Sequence, residues 1–110
     1  MEKLHRIENA TIVLKANVYF DGKVVSHTIE NKDGSKQSAG CISPGSYSFN
    51  TDAPERMDII AGSCKVRFKD RSGWAIYKEG EYFEVPGSSS FEIVVEKGVT
   101  DYLCSYKAKE

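Results

Sequence analysis

The sequence is divided into short runs of alternating apolar and polar residues, and nearly every run ends at a turn signal. The clearest run is Ser63–Phe68, where Lys65 and Arg67 fall on one face and apolar side chains on the other. Turns rich in glycine, proline, asparagine and aspartate separate these runs, as at Asp21-Gly22 and at 43–45. No window of a dozen residues repeats every 3.6 residues, so we expect very little helix. This pattern predicts an all-β domain of roughly nine to eleven short strands, arranged as a barrel or sandwich.

Length and charge exclude several classes of protein. A chain of 110 residues suits one domain with a single core. Fifteen basic and sixteen acidic residues leave a net charge of -1, which is not the electrostatic pattern of a protein that binds nucleic acid or a membrane. No apolar run approaches the roughly 18 residues that span a bilayer, and the first ten residues lack the apolar core of a secretory signal. We therefore expect a cytoplasmic protein.

Three cysteines, Cys41, Cys64 and Cys104, are widely spaced and odd in number. This spacing supports neither a disulfide framework nor a Cys-x-x-Cys metal knuckle. Each cysteine lies in an apolar or alternating stretch, so a buried small hydrophobic residue is the favoured interpretation. A reactive thiol is the less favoured alternative, because no basic residue with a helix start adjoins any of them.

Two spaced motifs in the second half of the chain resemble those of the cupin barrel. The first is a six-residue gap between Glu55 and Gly62, and the second is a five-residue gap between Gly80 and Pro86. The resemblance implies a single-domain cupin-like β-barrel or jelly roll. We assign it to 11–106, with an N-terminal segment at 1–10 and a C-terminal tail at 107–110.

The metal ligands of the cupin pattern are missing from this chain. Where the pattern places histidines, the sequence has Phe49 and Thr51 before Glu55, and Phe91 after the second motif. A divalent metal needs three or four nitrogen, oxygen or sulfur ligands at one point. His27, like the other histidine at position 5, has no ligand spacing. We therefore expect no metal and no other cofactor.

Four strings of residues resemble a more specific family, the pyrimidine/purine nucleoside phosphorylases, which are small cupin-fold proteins. The strings lie at 17–24, 47–57, 83–91 and 102–106, and they follow the order of the family. Together they extend over nearly the whole chain. The resemblance implies phosphorolysis: inorganic phosphate, as co-substrate, attacks the anomeric carbon of a purine or pyrimidine nucleoside and gives a free base and a pentose 1-phosphate.

Glu55 and Thr51 are the predicted catalytic residues, because they occupy the positions where cupin metal ligands converge. Glu55 would bind sugar hydroxyls or stabilise a cationic sugar. The alternative for Glu55 is a surface carboxylate or a structural partner of Arg56 or Lys23. Lys23 is a predicted phosphate ligand, and its alternative is a solvated lysine at a strand edge.

Three further residues are predicted to bind substrate. Ser89, in a Gly-Ser loop, offers a hydroxyl and a backbone N–H to an anion, although such a loop is more often only a turn. Phe49 and Phe91 replace cavity-facing ligands and are predicted to contact the base. We assign the other aromatic candidates to the core: Tyr47, Trp74, Tyr102 and Tyr106.

Two other functions stay open at this point. One is a non-catalytic cupin that binds a small molecule, and donors from Lys23, Thr51 and Ser89 converging on one anion would argue against it. The other is a structural domain, which a cavity plugged by Phe49, Phe91 and Met57 would favour. Under all three interpretations we expect a homodimer, with the apolar segment 12–14 as a candidate interface.

Overall fold

The computed structural model describes residues 6–107, which form eleven short antiparallel strands. The strands are β1 (Thr11–Ile12), β2 (Asn17–Tyr19), β3 (Val24–Glu30), β4 (Lys36–Ile42), β5 (Gly45–Asn50), β6 (Glu55–Ala61), β7 (Ser63–Phe68), β8 (Ala75–Lys78), β9 (Tyr82–Val85), β10 (Ser90–Val95) and β11 (Thr100–Tyr106). A single 3-10 turn, Phe20–Gly22, is the helical element of the described residues. The prediction of an all-β chain with nine to eleven strands is confirmed.

The strands form two sheets that face each other. The seven-stranded sheet has the order β1-β3-β4-β11-β6-β9, and β2 also pairs with β3; the four-stranded sheet has the order β5-β10-β7-β8. Within residues 6–107 no strand pairing joins the two sheets, so the fold is a cupin-like sandwich and not a closed barrel. Ring contacts of Tyr19 and Phe20 with Tyr47 and Phe49 place the β2 end of the large sheet beside β5 of the small sheet.

The β-branched residues that begin at Thr11 predict one continuous strand over 11–20, but the structure divides this segment into β1 and β2. In the structure Ile12 lies opposite Ile29, whereas Asn17 lies opposite Ser26. The chain thus advances five residues from Ile12 to Asn17 while β3 advances only three. The two extra residues bend the chain between β1 and β2. The Asn17 side-chain amide donates to the Ser26 hydroxyl at 3.3 Å and so helps to fix the new register.

The core lies between the sheets and follows the alternation predicted from the sequence. Its most completely buried apolar side chains are Val24, Ile42, Ile59, Val66, Val85, Ile93 and Val95. Cys64 and Cys104 are buried as predicted, whereas Cys41 is only half-buried. Burial raises the pKa of the Cys64 thiol to about 11, so this cysteine stays protonated at neutral pH.

The chain termini are described only in part. The first five residues of the predicted N-terminal segment, which include the histidine at position 5, lie outside the described residues, as do 108–110 of the predicted tail. Lys107 is described: its N–H donates to the Pro54 carbonyl at 2.9 Å, and its ammonium pairs with Glu84. Among residues 6–107 no helix has the length and apolar character needed to cross a membrane.

Candidate functional site

A cavity of about 170 Å³ lies between the two sheets. Strand alternation explains its lining, because every second residue of a strand faces the opposite sheet. The side chains with hydroxyl, amide or carboxyl groups that line it are Tyr19, Ser26, Ser38, Asn50, Glu55, Tyr102 and Tyr106. Three apolar lining residues, Ile42, Met57 and Ile93, belong to the buried core. The cavity is therefore an extension of the core in which polar groups replace hydrocarbon.

Glu55 supplies the cavity's carboxylate. It begins β6 and lies opposite Tyr106 of β11 in the sheet. The Cys104 thiol donates to Glu55 Oε1 at 3.5 Å. Burial raises the pKa of Glu55 above its usual 4.5, and the thiol hydrogen bond only partly opposes this change. Such a carboxyl group is partly desolvated, which strengthens its interaction with any positive charge that enters the cavity.

Arg56, the neighbour of Glu55, is engaged elsewhere. Its guanidinium forms an ion pair with Asp58 at 3.2 Å and lies 3.8 Å from the centre of the Tyr82 ring. The alternative in which Glu55 is a structural partner of Arg56 therefore does not agree with these contacts.

Three tyrosines and two serines line the cavity with neutral hydroxyl groups, and four of them, Ser26, Ser38, Tyr102 and Tyr106, form hydrogen bonds in pairs. The hydroxyls of Ser38 and Tyr106 lie 3.0 Å apart. Burial raises the pKa of Tyr102 to about 12, although a hydrogen bond with Ser26 opposes it, and burial also raises the pKa of Tyr106 well above its usual range. Both phenols keep their protons at neutral pH, so they can donate hydrogen bonds to a ligand.

Phe49 and Phe91 form an aromatic wall, and both line the cavity as predicted. Their rings stack at 5.7 Å with an angle of 27° between the planes. Phe91 is buried and packs edge-on against Phe83, whereas Phe49 is half-buried. Polar groups line the cavity together with these rings. The cavity is therefore not filled by apolar side chains alone, which is the arrangement that would favour a structural domain.

Thr51 and Ser89 lie outside this cavity and bond to each other. The Thr51 hydroxyl donates to the Pro86 carbonyl at 2.6 Å and accepts from the Ser89 N–H at 2.9 Å. The Ser89 carbonyl in turn accepts from the Thr51 N–H at 2.9 Å. These bonds join the loop after β5 to the loop before β10. The two loops flank the ends of the strands that carry Phe49 and Phe91.

The predicted phosphate ligands do not converge in the structure. Lys23 is exposed, follows the Phe20–Gly22 turn and is not part of the cavity lining. Ser89 lines a different cleft, whose cationic residues are Lys69 and Arg71. Convergence of donors from these residues on one anion would argue against a non-catalytic binding protein. The described contacts of Lys23, Thr51 and Ser89 do not show such convergence.

No metal centre is formed by the described side chains. Residues 6–107 contain no group of three or more histidine, cysteine, aspartate or glutamate side chains close enough to share an ion. Metal independence stays a prediction about the activity. His27 lies on the outer face of the large sheet, where its Nδ1 is 3.2 Å from the Val13 carbonyl oxygen.

Most of the cavity's polar residues were not predicted from the sequence to be site residues. Tyr102 and Tyr106 were assigned to the core, and Ser26, Ser38 and Asn50 were not selected at all. A signal was present, since Ser26 and Ser38 share the inward-facing sides of β3 and β4 with the core residues Val24 and Ile42. A buried hydroxyl in such a position is informative, because polar side chains are costly to bury without a partner.

Comparison with known proteins gives the family of this chain. The sequence profile described as pyrimidine/purine nucleoside phosphorylase matches residues 14–106. The chain belongs to this family. A curated relative from Aromatoleum aromaticum, named pyrimidine/purine nucleoside phosphorylase, is 48% identical over 106 residues, which are 96% of this chain and 99% of the relative. The resemblance seen in the four sequence strings is thereby confirmed.

Two solved structures share the fold closely. A protein of unknown function from Acinetobacter sp. ADP1 superposes with a TM-score of 0.90 and 38% identity, covering 93% of this chain and 98% of the other. A second protein of unknown function, from Vibrio parahaemolyticus, has a TM-score of 0.80 and 42% identity, covering 88% of this chain and 99% of the other. The family's two-sheet fold is thus represented by experimental structures of similar length.

Proposed function

We propose that this protein is a nucleoside phosphorylase that cleaves purine and pyrimidine nucleosides without a metal. The bond between C1′ of the sugar and the base nitrogen breaks, a phosphate oxygen bonds to C1′, and the proton that hydrogen phosphate loses in this step is taken up by the departing base. Family membership supports this reaction class. The structural observation that carries the proposal is the partly desolvated Glu55 carboxyl group in a cavity whose other polar groups are neutral.

Glu55 is the proposed catalytic residue. As the base departs, the sugar gains positive charge, and a carboxylate in a cavity of low dielectric constant stabilises that charge more strongly than water does. The same carboxylate accepts hydrogen bonds from sugar hydroxyls and fixes the position of C1′. The hydroxyls of Ser38 and Tyr106, which lie 3.0 Å apart, form the neighbouring part of the sugar site.

Phosphate binding places a constraint on the site. None of the described residues that line the cavity is lysine or arginine. We propose that neutral donors, among them the Asn50 amide, hold the phosphate, and that Lys23 and Ser89 contribute from outside the cavity. Since two anions repel, the phosphate lies away from Glu55 and approaches C1′ from the face opposite to the departing base.

Thr51 is proposed to act through the loops and not by contact with the reacting atoms. Its hydroxyl joins the loop before β10 to the end of β5, and these two strands carry the Phe91 and Phe49 rings. Loss of this contact would shift the aromatic wall, so Thr51 is a positioning residue in this proposal.

The assay that tests the reaction uses purified protein with uridine, adenosine or inosine, with and without inorganic phosphate. We expect release of free base and pentose 1-phosphate that requires phosphate and persists in EDTA. We expect Glu55→Gln to lower kcat/KM about 100-fold or more, which is typical for removing one group that stabilises transition-state charge. Base release without phosphate would indicate a hydrolase, and loss of activity in EDTA would contradict the metal-free site.

A second candidate function is a non-catalytic protein that binds nucleosides. The absence of lysine and arginine from the described cavity lining favours it, because such a lining suits an uncharged polar ligand better than phosphate. The same assay separates the two functions. Nucleoside binding by calorimetry without release of base, at any phosphate concentration, would support the binding protein.

A further inference from the structure

The cavity is small for the ligand that the proposed function requires. Its volume of about 170 Å³ is below the roughly 300–1,000 Å³ of pockets that enclose most of a drug-sized ligand. A nucleoside with phosphate beside it therefore extends beyond the cavity. Glu55, Ser38 and Tyr106 match the hydroxyls of a sugar, so the nucleobase is the part that lies outside them.

Two aromatic side chains that lie beside this cavity are almost half exposed. Tyr19 and Phe20 close the hairpin between β2 and β3, and they remain 45% and 44% exposed. Tyr19 lines the cavity. The Phe20 ring lies 5.0 Å from the Tyr47 ring and 5.4 Å from the Phe49 ring. Tyr19 also meets Phe49 edge-on at 6.2 Å. The pair therefore continues the aromatic wall from the cavity to the surface.

The backbone of this hairpin is strained, which is a second and independent observation. Phe20 has a φ of 53° and Asp21 a φ of 57°, followed by Gly22 at 90°. Aspartate and glycine adopt this left-handed region readily, but a bulky aromatic residue rarely does. Strain of this kind is common where the position of a side chain serves a binding site.

Packing alone does not account for the arrangement. A phenylalanine whose role was only to close the open side of the sandwich would gain most from full burial, yet almost half of Phe20 stays accessible. An exposed ring held in place by edge contacts with Phe49 keeps a face available for another planar group. Such a group stacks on aromatic rings with little dependence on its identity, because every nucleobase has a π face.

We propose that Tyr19 and Phe20 form the stacking surface for the nucleobase, while Glu55 and the cavity hydroxyls hold the sugar. This inference rests on the proposed nucleoside substrate, and it assigns the base and the sugar to different residues of the site. The enzyme selects the pentose through hydrogen bonds and accepts purines and pyrimidines alike by stacking.

The test uses Tyr19→Leu and Phe20→Leu, which keep apolar bulk and remove the ring. The matched control is Tyr82→Leu, since Tyr82 is similarly exposed at 49% but lies outside the cavity lining. Phosphorolysis of adenosine and uridine is measured at saturating phosphate. We expect KM for the nucleoside to rise about fivefold or more in each hairpin variant, more for adenosine because its base is larger. We expect kcat, KM for phosphate and the control variant to stay within twofold of the wild type.

The reverse reaction separates base from sugar within one experiment. We expect KM for the free base to rise in the hairpin variants, with KM for ribose 1-phosphate unchanged. Equal increases in both constants, or no increase in either, would overturn the inference. A change of oligomeric state in gel filtration with unchanged KM would also overturn it, since the rings would then form a subunit contact.

Failure of the proposed function gives a different result. If the wild-type protein shows no phosphorolysis, calorimetry with adenosine alone decides the inference. Binding that is weakened in Tyr19→Leu and Phe20→Leu but not in Tyr82→Leu would support the stacking surface. A wild-type protein that binds no nucleoside would overturn both proposals.

Discussion

Glu55 shows how a single residue takes its properties from its surroundings. It begins a strand, faces inward and accepts a hydrogen bond from the buried Cys104 thiol. Burial favours its uncharged form and raises its pKa in the folded protein. A carboxyl group whose pKa is higher in the folded than in the unfolded protein adds to the free energy of unfolding. This contribution is complete below the pKa of the unfolded state and is lost as pH rises through the pKa of the folded state.

The stability of a Glu55→Gln variant tests this environment. Glutamine cannot ionise, so the free energy of unfolding of the variant should rise relative to wild type as pH increases from about 4 to about 8. Urea titrations at several pH values measure the difference. The Glu30→Gln variant, on an exposed strand end, corrects for the general effect of removing one charge. A difference that is independent of pH would contradict a desolvated Glu55.

The pH dependence of catalysis also tests the protonation of Glu55. Protonation of Glu55 removes the negative charge that stabilises the sugar, so kcat/KM should fall as pH falls through its raised pKa. We expect the acid limb to lie above the usual glutamate value of 4.5 and to be absent from the residual activity of Glu55→Gln. Initial rates over a pH series measure this limb, and an identical limb in the variant would assign it to another group.

Thr51 gives the third prediction at the scale of a residue. Valine has nearly the same shape but leaves the Pro86 carbonyl and the Ser89 N–H without their partner. We expect Thr51→Val to lower the free energy of unfolding by about 1–3 kcal/mol, whereas Thr51→Ser should lose much less. Thermal and urea denaturation measure both. A Val variant as stable as the wild type would show that the hydroxyl does not hold the loops together.

At the scale of elements, close packing of the strands depends on Gly40 of β4. A Cβ atom at this position would lie 2.5 Å from the Val25 carbonyl oxygen, 2.7 Å from the Ser26 Cβ and 2.9 Å from the Tyr102 hydroxyl. Tyr102 lies directly opposite Gly40 in the neighbouring strand, and its hydroxyl lines the cavity wall with Ser26. The glycine thus makes room for a site residue.

Replacing this glycine should damage both stability and the site. We expect Gly40→Ala to lower the free energy of unfolding by about 1–3 kcal/mol, since the backbone it meets cannot move aside cheaply. KM for the nucleoside should also rise as Tyr102 is displaced. Gly73→Ala is the matched control, because no atom lies within 4 Å of a Cβ built there. Equal stability of the two variants in urea would contradict the close approach.

At the scale of the whole molecule, the outer face of the large sheet bears an apolar concavity of about 640 Å³ beside β1. Ile12 lines it, and Leu14, on the bend that follows, is 82% exposed. Large exposed apolar groups at a sheet edge are typical of surfaces that pair with another chain. The homodimer expected from the sequence would cover this region.

The predicted dimer is tested by light scattering after gel filtration. We expect the wild type to have the mass of two chains and Leu14→Glu to have the mass of one, because the new charge would be buried at the interface. Val99→Glu is a control at another exposed apolar position. A monomeric wild type, or a dimer unchanged by Leu14→Glu, would exclude this interface.

Much of the fold and part of the site follow from local patterns. Alternation and turn residues predicted the strands, since burial of one strand face is encoded in the spacing of its own side chains. The cupin resemblance, and not the alternation, implied that Phe49, Glu55 and Phe91 face the cavity. The alternation failed at the join of β1 and β2, where a hydrogen bond from Asn17 to a neighbouring strand sets the register.

The tertiary structure alone decided which distant side chains meet. The sequence determined that the chain is all-β and that its cupin positions lack histidine. It did not place Ser38, Tyr102 and Tyr106 around Glu55, or bring Tyr19 and Phe20 against Phe49. It also gave no sign that Thr51 and Ser89 bond to each other outside the cavity. Such contacts join residues far apart in the chain, so they depend on strand order and register, which local spacing does not encode.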